Sequence, residues 1–384
     1  MAVLNTGSWS RLETLDLGQN FLQSAGCEQL IQGRWPTLKT LILSDCFLGT
    51  EACAHLATGV WPQLRYLDLS KNRLEDEAML PLVNGRWPLL DKLDLTSNML
   101  STAAVKCLVS SAWPLLTGIV LNSNELSEEA LLLFTHTNWP ALEYIGLRHN
   151  NLSAAENLSL DAWPLLKGLD VGRNIVIGCM LCASLQSHLP TLERLDLSGQ
   201  QHSLNANDVA SLIEAELPCL TRLNLSESLC FEDMYDAIGH LVLGYWPLLQ
   251  SLDLSRHEQY DTDTEASFSS SADSLELDSE DESDDKWEAF DASIIGLFAR
   301  ADWPKLKHLN LSLAGITDRA LEPMRGAKWP CLESLDLSNN PMSVAAFDHL
   351  CRCSWPDLRY LAVGNITSIV MTSAEALQRF HRRC

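Results

Sequence analysis

A tryptophan followed by proline returns along this chain at a nearly constant step of 26 residues, and a step that regular admits little besides a repeat array. One unit reads Trp87-Pro88-Leu89-Leu90-Asp91-Lys92-Leu93-Asp94-Leu95-Thr96-Ser97-Asn98-Met99-Leu100. Leu93 and Leu95 are two apart, so on a strand they share the inward face and leave Lys92 and Asp94 outside. The short amide of Asn98 can bond the backbone of neighbouring coils, whose polar groups a buried turn would orphan. Ser101-Thr102 is a helix start, and Ala103 to Leu108 are good helix formers with apolar residues at helical spacing. Trp113-Pro114 then ends the helix, because the proline fixes its own φ and pushes the tryptophan towards extended angles.

The step falls at residues 9, 35, 61, 87, 113, 139, 163, 189, 217, 246, 303, 329 and 355. Eleven of the twelve tryptophans occupy it; Leu189-Pro190 and Leu217-Pro218 replace the pair at the other two places. The tryptophans are expected to form a ladder in the core, filling space between helix and strand. The middle coils are irregular, with longer turns expected over 199–207 and 229–233, and irregular loops on a regular scaffold are common places for function.

From Trp246 to Trp303 the step is 57 residues, one repeat plus 31. Counting back from Trp303, Phe290 takes the place of Leu100 and Glu288 that of Asn98, which puts the insertion between residues 257 and 287. Residues 258–291 hold fourteen acidic residues and one lysine, a net −13 of the chain's −23. So polar a segment cannot bury enough surface to offset its ordering entropy, and disorder is expected. Ser270 and Ser279, each with an acidic residue three places on, resemble acidophilic-kinase sites. The expected organisation is repeats one to ten over 1–256, the acidic insertion over 257–287, and the rest of repeat ten with repeats eleven to thirteen over 288–384. A last helix is expected over 373–383. Neither end carries an obvious cap, which fits a piece of a longer chain.

The net charge of −23 argues against nucleic acid and anionic membrane surfaces as partners. No stretch approaches a membrane-spanning length, and the first residues lack a signal-peptide pattern. The twelve cysteines read as reduced and mostly buried, in a cytosolic or nuclear protein. Cys179 and Cys182 form a lone CxxC without histidines at ligand spacing, so no metal and no cofactor are expected. Phosphate-binding, dinucleotide-binding, metalloprotease and serine-hydrolase motifs are all absent. The chain therefore reads as non-enzymatic, with no small-molecule substrate.

Two sets of outward residues remain. Asp16, Asp68, Asp94, Asp170, Asp196, Asp253 and Asp336 form one column, read as a solvated scaffold column. Coils six to eleven carry Arg148, His149, Arg173, Arg194, Arg222, Arg256 and His308, where earlier coils show mainly Thr, Lys, Asn and Ser. These basic residues either pair across strands with Asp170, Asp196 and Asp253 or form a recognition patch for a carboxylate-rich segment. With Tyr66 and Tyr144 they are the expected partner-binding residues.

The unit L-x-x-L-x-L-x-x-N-x-L followed by an alanine-rich helix resembles the ribonuclease-inhibitor-like class of leucine-rich repeat proteins; Trp-Pro at the coil boundary departs from that class. The resemblance implies an α/β solenoid, a horseshoe of about thirteen strand-turn-helix coils with a concave parallel sheet and convex helices. It also implies protein binding, as a scaffold or adaptor gripping a protein partner on the concave face and the rim of ascending loops. Two other functions are compatible: a GTPase-activating protein resembling the Ran activator, and an acidic binder of histones or other basic proteins.

Overall fold

The computed structural model describes residues 7, 9–111, 113–134, 139–153, 163–175, 189–215, 217–230, 232–256 and 290–364. The insertion 257–287, the CxxC pair and the final helix expected over 373–383 lie outside the described residues. Thirteen strands of three residues each form one parallel sheet in strict chain order. They are β1 Thr14–Asp16, β2 Thr40–Ile42, β3 Tyr66–Asp68, β4 Lys92–Asp94, β5 Gly118–Val120, β6 Tyr144–Gly146, β7 Gly168–Asp170, β8 Arg194–Asp196, β9 Arg222–Asn224, β10 Ser251–Asp253, β11 His308–Asn310, β12 Ser334–Asp336 and β13 Tyr360–Ala362. The central residue of each strand is Leu or Ile and pairs in register with the next, as in Leu67 with Leu93 and Leu93 with Ile119. Helical segments such as Thr50–Thr58, Thr102–Leu108 and Ala206–Glu214 return the chain on the opposite layer. Strands this short cannot stand alone; stacking makes one continuous core of the leucines between the layers.

Neighbouring coils are joined by buried asparagines. The Asn98 amide donates to the carbonyls of Leu69, 3.2 Å away in the preceding coil, and of Leu95, 2.8 Å away in its own. Its oxygen accepts from the backbone N–H of Asn72 at 3.0 Å and Leu74 at 2.9 Å. Asn72, Asn124, Asn150 and Asn174 repeat the arrangement. At the equivalent place Cys46 donates its thiol to Leu17 O, Gln200 donates to Val171 O, and the Ser228 hydroxyl donates to Leu197 O. In the eleventh coil the residue is Ala314, which has no amide. There the N–H of Phe290 bonds the Ala314 carbonyl directly at 2.9 Å. Phe290 is fully buried in the place of Leu100, and β10 pairs with β11 in the common register, so the sheet runs on across the 57-residue step.

The described tryptophans from Trp35 to Trp329 are buried, and Trp61, Trp87 and Trp113 stack at ring separations of 6.0 and 6.3 Å. The indoles lie against the backbone two residues earlier: a Cβ on Gly59 would meet the Trp61 ring at 2.6 Å. Leu189 and Leu217 fill the same place with smaller side chains and are equally buried. Trp9 in the first coil is 38% exposed.

One expectation needs correction. Of the described cysteines, only Cys27, Cys46 and Cys53 are fully buried; Cys107, Cys219, Cys230, Cys331, Cys351 and Cys353 are half-buried, since the outer layer is thinner than the leucine core. Burial pushes the Cys27 and Cys53 thiols up to about 12, which keeps them protonated and unreactive. The longer turn expected over 199–207 is present, with six residues from Gln200 to the helix start where Asn98 is followed by four, and it is ordered. Leu204 bridges Leu229, and Asn205 with Asp208 closes a capping box that starts the helix at Ala206.

Replacing Asn98 by Ala strands the N–H groups of Asn72 and Leu74 in the core and removes one of the two amide donors from each of the Leu69 and Leu95 carbonyls, and is expected to destabilise the array by about 3 kcal/mol or more. Urea unfolding measures it; a loss below ~1 kcal/mol would mean that these bonds are dispensable.

Candidate partner-binding face

Because the register is shared, outward side chains fall into columns. The first strand position reads Tyr66, Lys92, Gly118, Tyr144, Gly168, Arg194 and Arg222 from β3 to β9. The third reads Asp68, Asp94, Val120, Gly146, Asp170, Asp196 and Asn224. A fold that stacks short strands in one parallel sheet, with helices behind and a buried asparagine at each turn, has known counterparts. A family model described as Leucine Rich repeat matches residues 62–83 and 304–324. An internalin from Listeria monocytogenes is 16% identical, with 96% of this chain and 84% of that one covered and a TM-score of 0.54. A chain of the Rad7 and Elc1 complex from yeast is also 16% identical, over 94% of this chain and 77% of that one, with a TM-score of 0.53.

The fold is a leucine-rich repeat solenoid.

At that identity the likeness to these structures carries the fold alone. No curated protein sequence matches the chain.

On the solenoid's concave face the aspartate column is not the solvated row expected. Each carboxylate accepts the backbone N–H two residues on, as Asp94 does from Thr96, Asp170 from Gly172, and Asp196 from Ser198. These aspartates fix the turn that follows the strand. Asn224 and Asn310 use their oxygens the same way and donate their amides to Asp196 and Asp253 at 2.8 and 3.1 Å, which separates carboxylates that would otherwise stand side by side.

The nine expected partner-binding residues are divided by the fold. Tyr66, Tyr144, Arg194, Arg222 and His308 stand in the first strand column. Arg148 stands two residues beyond the strand. His149 and Arg173 occupy the next position, a turn with φ of +54° and +51° that most coils share, and Arg256 is at the same place in the tenth coil. Of the two readings left open for the basic residues, pairing with the aspartates holds for Arg148, whose Nη1 lies 3.3 Å from Asp196 Oδ1 and 2.5 Å from Ser198 Oγ. Among the described residues, Asp170 and Asp253 form no ion pair with arginine. Arg194 instead stacks over Tyr144 at 5.9 Å, and Arg256 over Phe290 at 5.1 Å.

What the sequence reading missed is the role of glycine in this column. Tyr144 and Arg148 lie flat across the seventh coil because its outward places are Gly168 and Gly172. A Cβ on Gly168 would meet the Tyr144 ring at 2.7 Å, and one on Gly172 would collide with the Arg148 guanidinium. The signal was visible as glycines where the repeat usually has a side chain, but their meaning depends on which neighbour leans over them. Also unforeseen was a row just before the strands, in which Lys167 pairs with Glu143 at 2.9 Å and the Thr117 hydroxyl with Asp91.

Around Gly118 the face opens into a groove of about 640 Å³, lined by Arg65, Tyr66, Lys92, Val120, Tyr144 and Arg194 among others. Burial pushes the Tyr66 and Tyr144 hydroxyls up to about 12, so both remain neutral donors. Burial beneath Tyr144 and Arg148, with the Asp196 charge beside it, raises Asp170 to about 6. Among the described residues no group of three or more side chains is placed to hold a metal, and no helix is long and apolar enough to cross a membrane.

Asp170 binds its proton more tightly folded than unfolded, so its contribution to stability is greatest below its unfolded pKa and is lost as pH rises through about 6. Asp170→Asn keeps the oxygen that Gly172 needs and is expected to add about 1–2 kcal/mol at pH 7.5 and almost nothing at pH 4. Thermal melts at the two pH values check this; an equal effect at both would exclude the charge as the cause.

Proposed function

We propose that this solenoid is a non-enzymatic scaffold or adaptor that receives a protein partner on the concave face between β3 and β9. The observation that carries the reading is the open groove between Tyr66 and Tyr144, whose glycine floor leaves room for a peptide backbone and whose rim carries neutral hydroxyls and exposed cations. Tyrosine and arginine are residue types that anchor protein interfaces. The likeness to a chain of the Rad7 and Elc1 complex agrees with a place in a protein assembly. Kinship with the ribonuclease-inhibitor-like class and a cytosolic or nuclear location belong to the same proposal. Within it, His149, Arg173 and Arg256 on the turns and His308 on β11 serve as outer contacts. A second reading, capture of basic proteins by residues 258–291, has the −13 charge of that segment in its favour. Nothing in the geometry of the face favours GTPase activation.

A photoreactive amino acid placed at Lys92 is expected to cross-link a partner from the native extract, whereas the same residue at Leu243, 76% exposed on the helical side, does not. The Lys92 product should vanish when Tyr66 and Tyr144 are both changed to Ala; equal labelling from Leu243 would place binding elsewhere. Residues 257–287 are proposed as an insertion outside the core. Their deletion is expected to leave the circular dichroism and thermal midpoint unchanged, and a large fall in the midpoint would make the segment part of the fold.

A further inference from the structure

The charges on the concave face are not used equally. Most of its carboxylates are engaged: Asp94 with the Thr96 N–H, Asp91 with the Thr117 hydroxyl, Glu143 with Lys167, and Asp196 with Ser198, Asn224 and Arg148, whereas among the described residues Glu193 before β8 and Glu227 after β9 have no such partner. Four cations are not. Arg65, Lys92, Arg194 and Arg222 are exposed, and among the described residues no carboxylate pairs with any of them. A chain with a formal charge of −23 thus presents, on this one face, four exposed positive groups beside negative groups most of which are engaged in its own turns and side-chain pairs.

The spacing sets the kind of ligand. Neighbouring strands lie about 4.8 Å apart, so the five steps from Lys92 on β4 to Arg222 on β9 span roughly 24 Å. An extended chain rises about 3.3 Å per residue, and some seven or eight residues laid across the strands cover that distance. Gly118, Gly146 and Gly168 keep the floor low along this path, with Val120 as an apolar patch between them. Arg194 is held ready: its guanidinium rests on the Tyr144 ring, which itself lies over Gly168. A guanidinium fixed in this way loses less entropy on taking a carboxylate in both prongs of the fork.

We infer that the face from β3 to β9 takes an extended, carboxylate-rich segment of another protein, with Lys92, Arg194 and Arg222 as the charge-reading residues and Tyr66 and Tyr144 flanking the chain. This rests on the proposal that the concave face is the binding face, and adds the chemistry of what it binds.

Fluorescence anisotropy on the full-length chain, with labelled twelve-residue peptides of alternating Glu-Val, Lys-Val or Gln-Val, tests it. The Glu-Val peptide is expected to bind and the Lys-Val peptide not. The double variant Arg194→Glu, Arg222→Glu should weaken the Glu-Val peptide by roughly tenfold or more. The double variant Arg86→Glu, Arg300→Glu changes the net charge equally on other surfaces and should have little effect; circular dichroism confirms that both pairs fold. Equal losses in the two pairs would reduce the effect to net charge and overturn the inference. Binding of the Gln-Val peptide as tightly as Glu-Val, abolished by Tyr66→Ala with Tyr144→Ala but not by the arginine variants, would overturn the acidic chemistry and leave the face standing. If neither substitution pair on the face alters any peptide's binding, the face itself fails. Glu-Val binding that needs removal of residues 258–287 would make the chain's own acidic segment the occupant and exclude an outside partner.

Discussion

The coils of this solenoid turn a corner inside their own core, and the corner exposes backbone groups that a polar side chain, most often a short amide, reaches. In most turns an asparagine receives one or two N–H groups of the coil before it and donates to carbonyls of both coils, as Asn98 does between the third and fourth with two. Strands of three residues and helices of one or two turns have no independent stability, so the array depends on this contact being repeated. Where the amide is lost the backbone compensates differently each time: by a thiol at Cys46, a longer amide at Gln200, a hydroxyl at Ser228, and a direct peptide bond-to-bond contact at Ala314. Three of these four substitutions lie in the coils from eight onward, where the spacing is irregular and the acidic insertion departs.

With the interior committed in this way, variation is confined to the outward columns. The aspartates of the third column serve the fold as much as the asparagines do, since each closes the turn after its strand. The first column is free to vary, and between β3 and β9 it carries two tyrosines, three cations and two glycines. Glycine there does not loosen the sheet. It clears lanes in which Tyr144 and Arg148 lie down, and Tyr144 then supports Arg194. The sequence, through missing side chains in coils five to seven, sets the pose of present ones in coils six to eight, and that pose determines which cations are spent internally and which stay exposed.

The fold was legible because its determinants are local and repeated. The two-residue spacing of Leu93 and Leu95, the place of Asn98 and the N-cap at Ser101 each have one physical reading, and the Ser101 hydroxyl does accept the Ala103 N–H. Even the register across the 57-residue step followed from counting back to Phe290. The face was only partly legible, since its properties arise between coils. Position in the repeat places Arg148 and Arg194 both outward, yet Arg148 reaches two coils to Asp196 while Arg194 rests on a ring. That difference depends on Gly172 and Gly168, and no residue's own place in the repeat reveals it. The aspartate column misled for a related reason: spacing locates a carboxylate, but not the N–H two residues later that it turns to meet.

In the proposed reading the ordered turns build the scaffold, and the glycine-cleared stretch from β3 to β9 is the surface it offers. Hydrogen–deuterium exchange on the full-length chain, with and without a saturating acidic peptide, tests this most directly. Added protection should be confined to peptides containing β4 to β9 and the turns that follow them, with the helices Thr50–Thr58 and Met234–Leu241 unchanged. Protection appearing on those helices, or spread evenly over all thirteen coils, would contradict it.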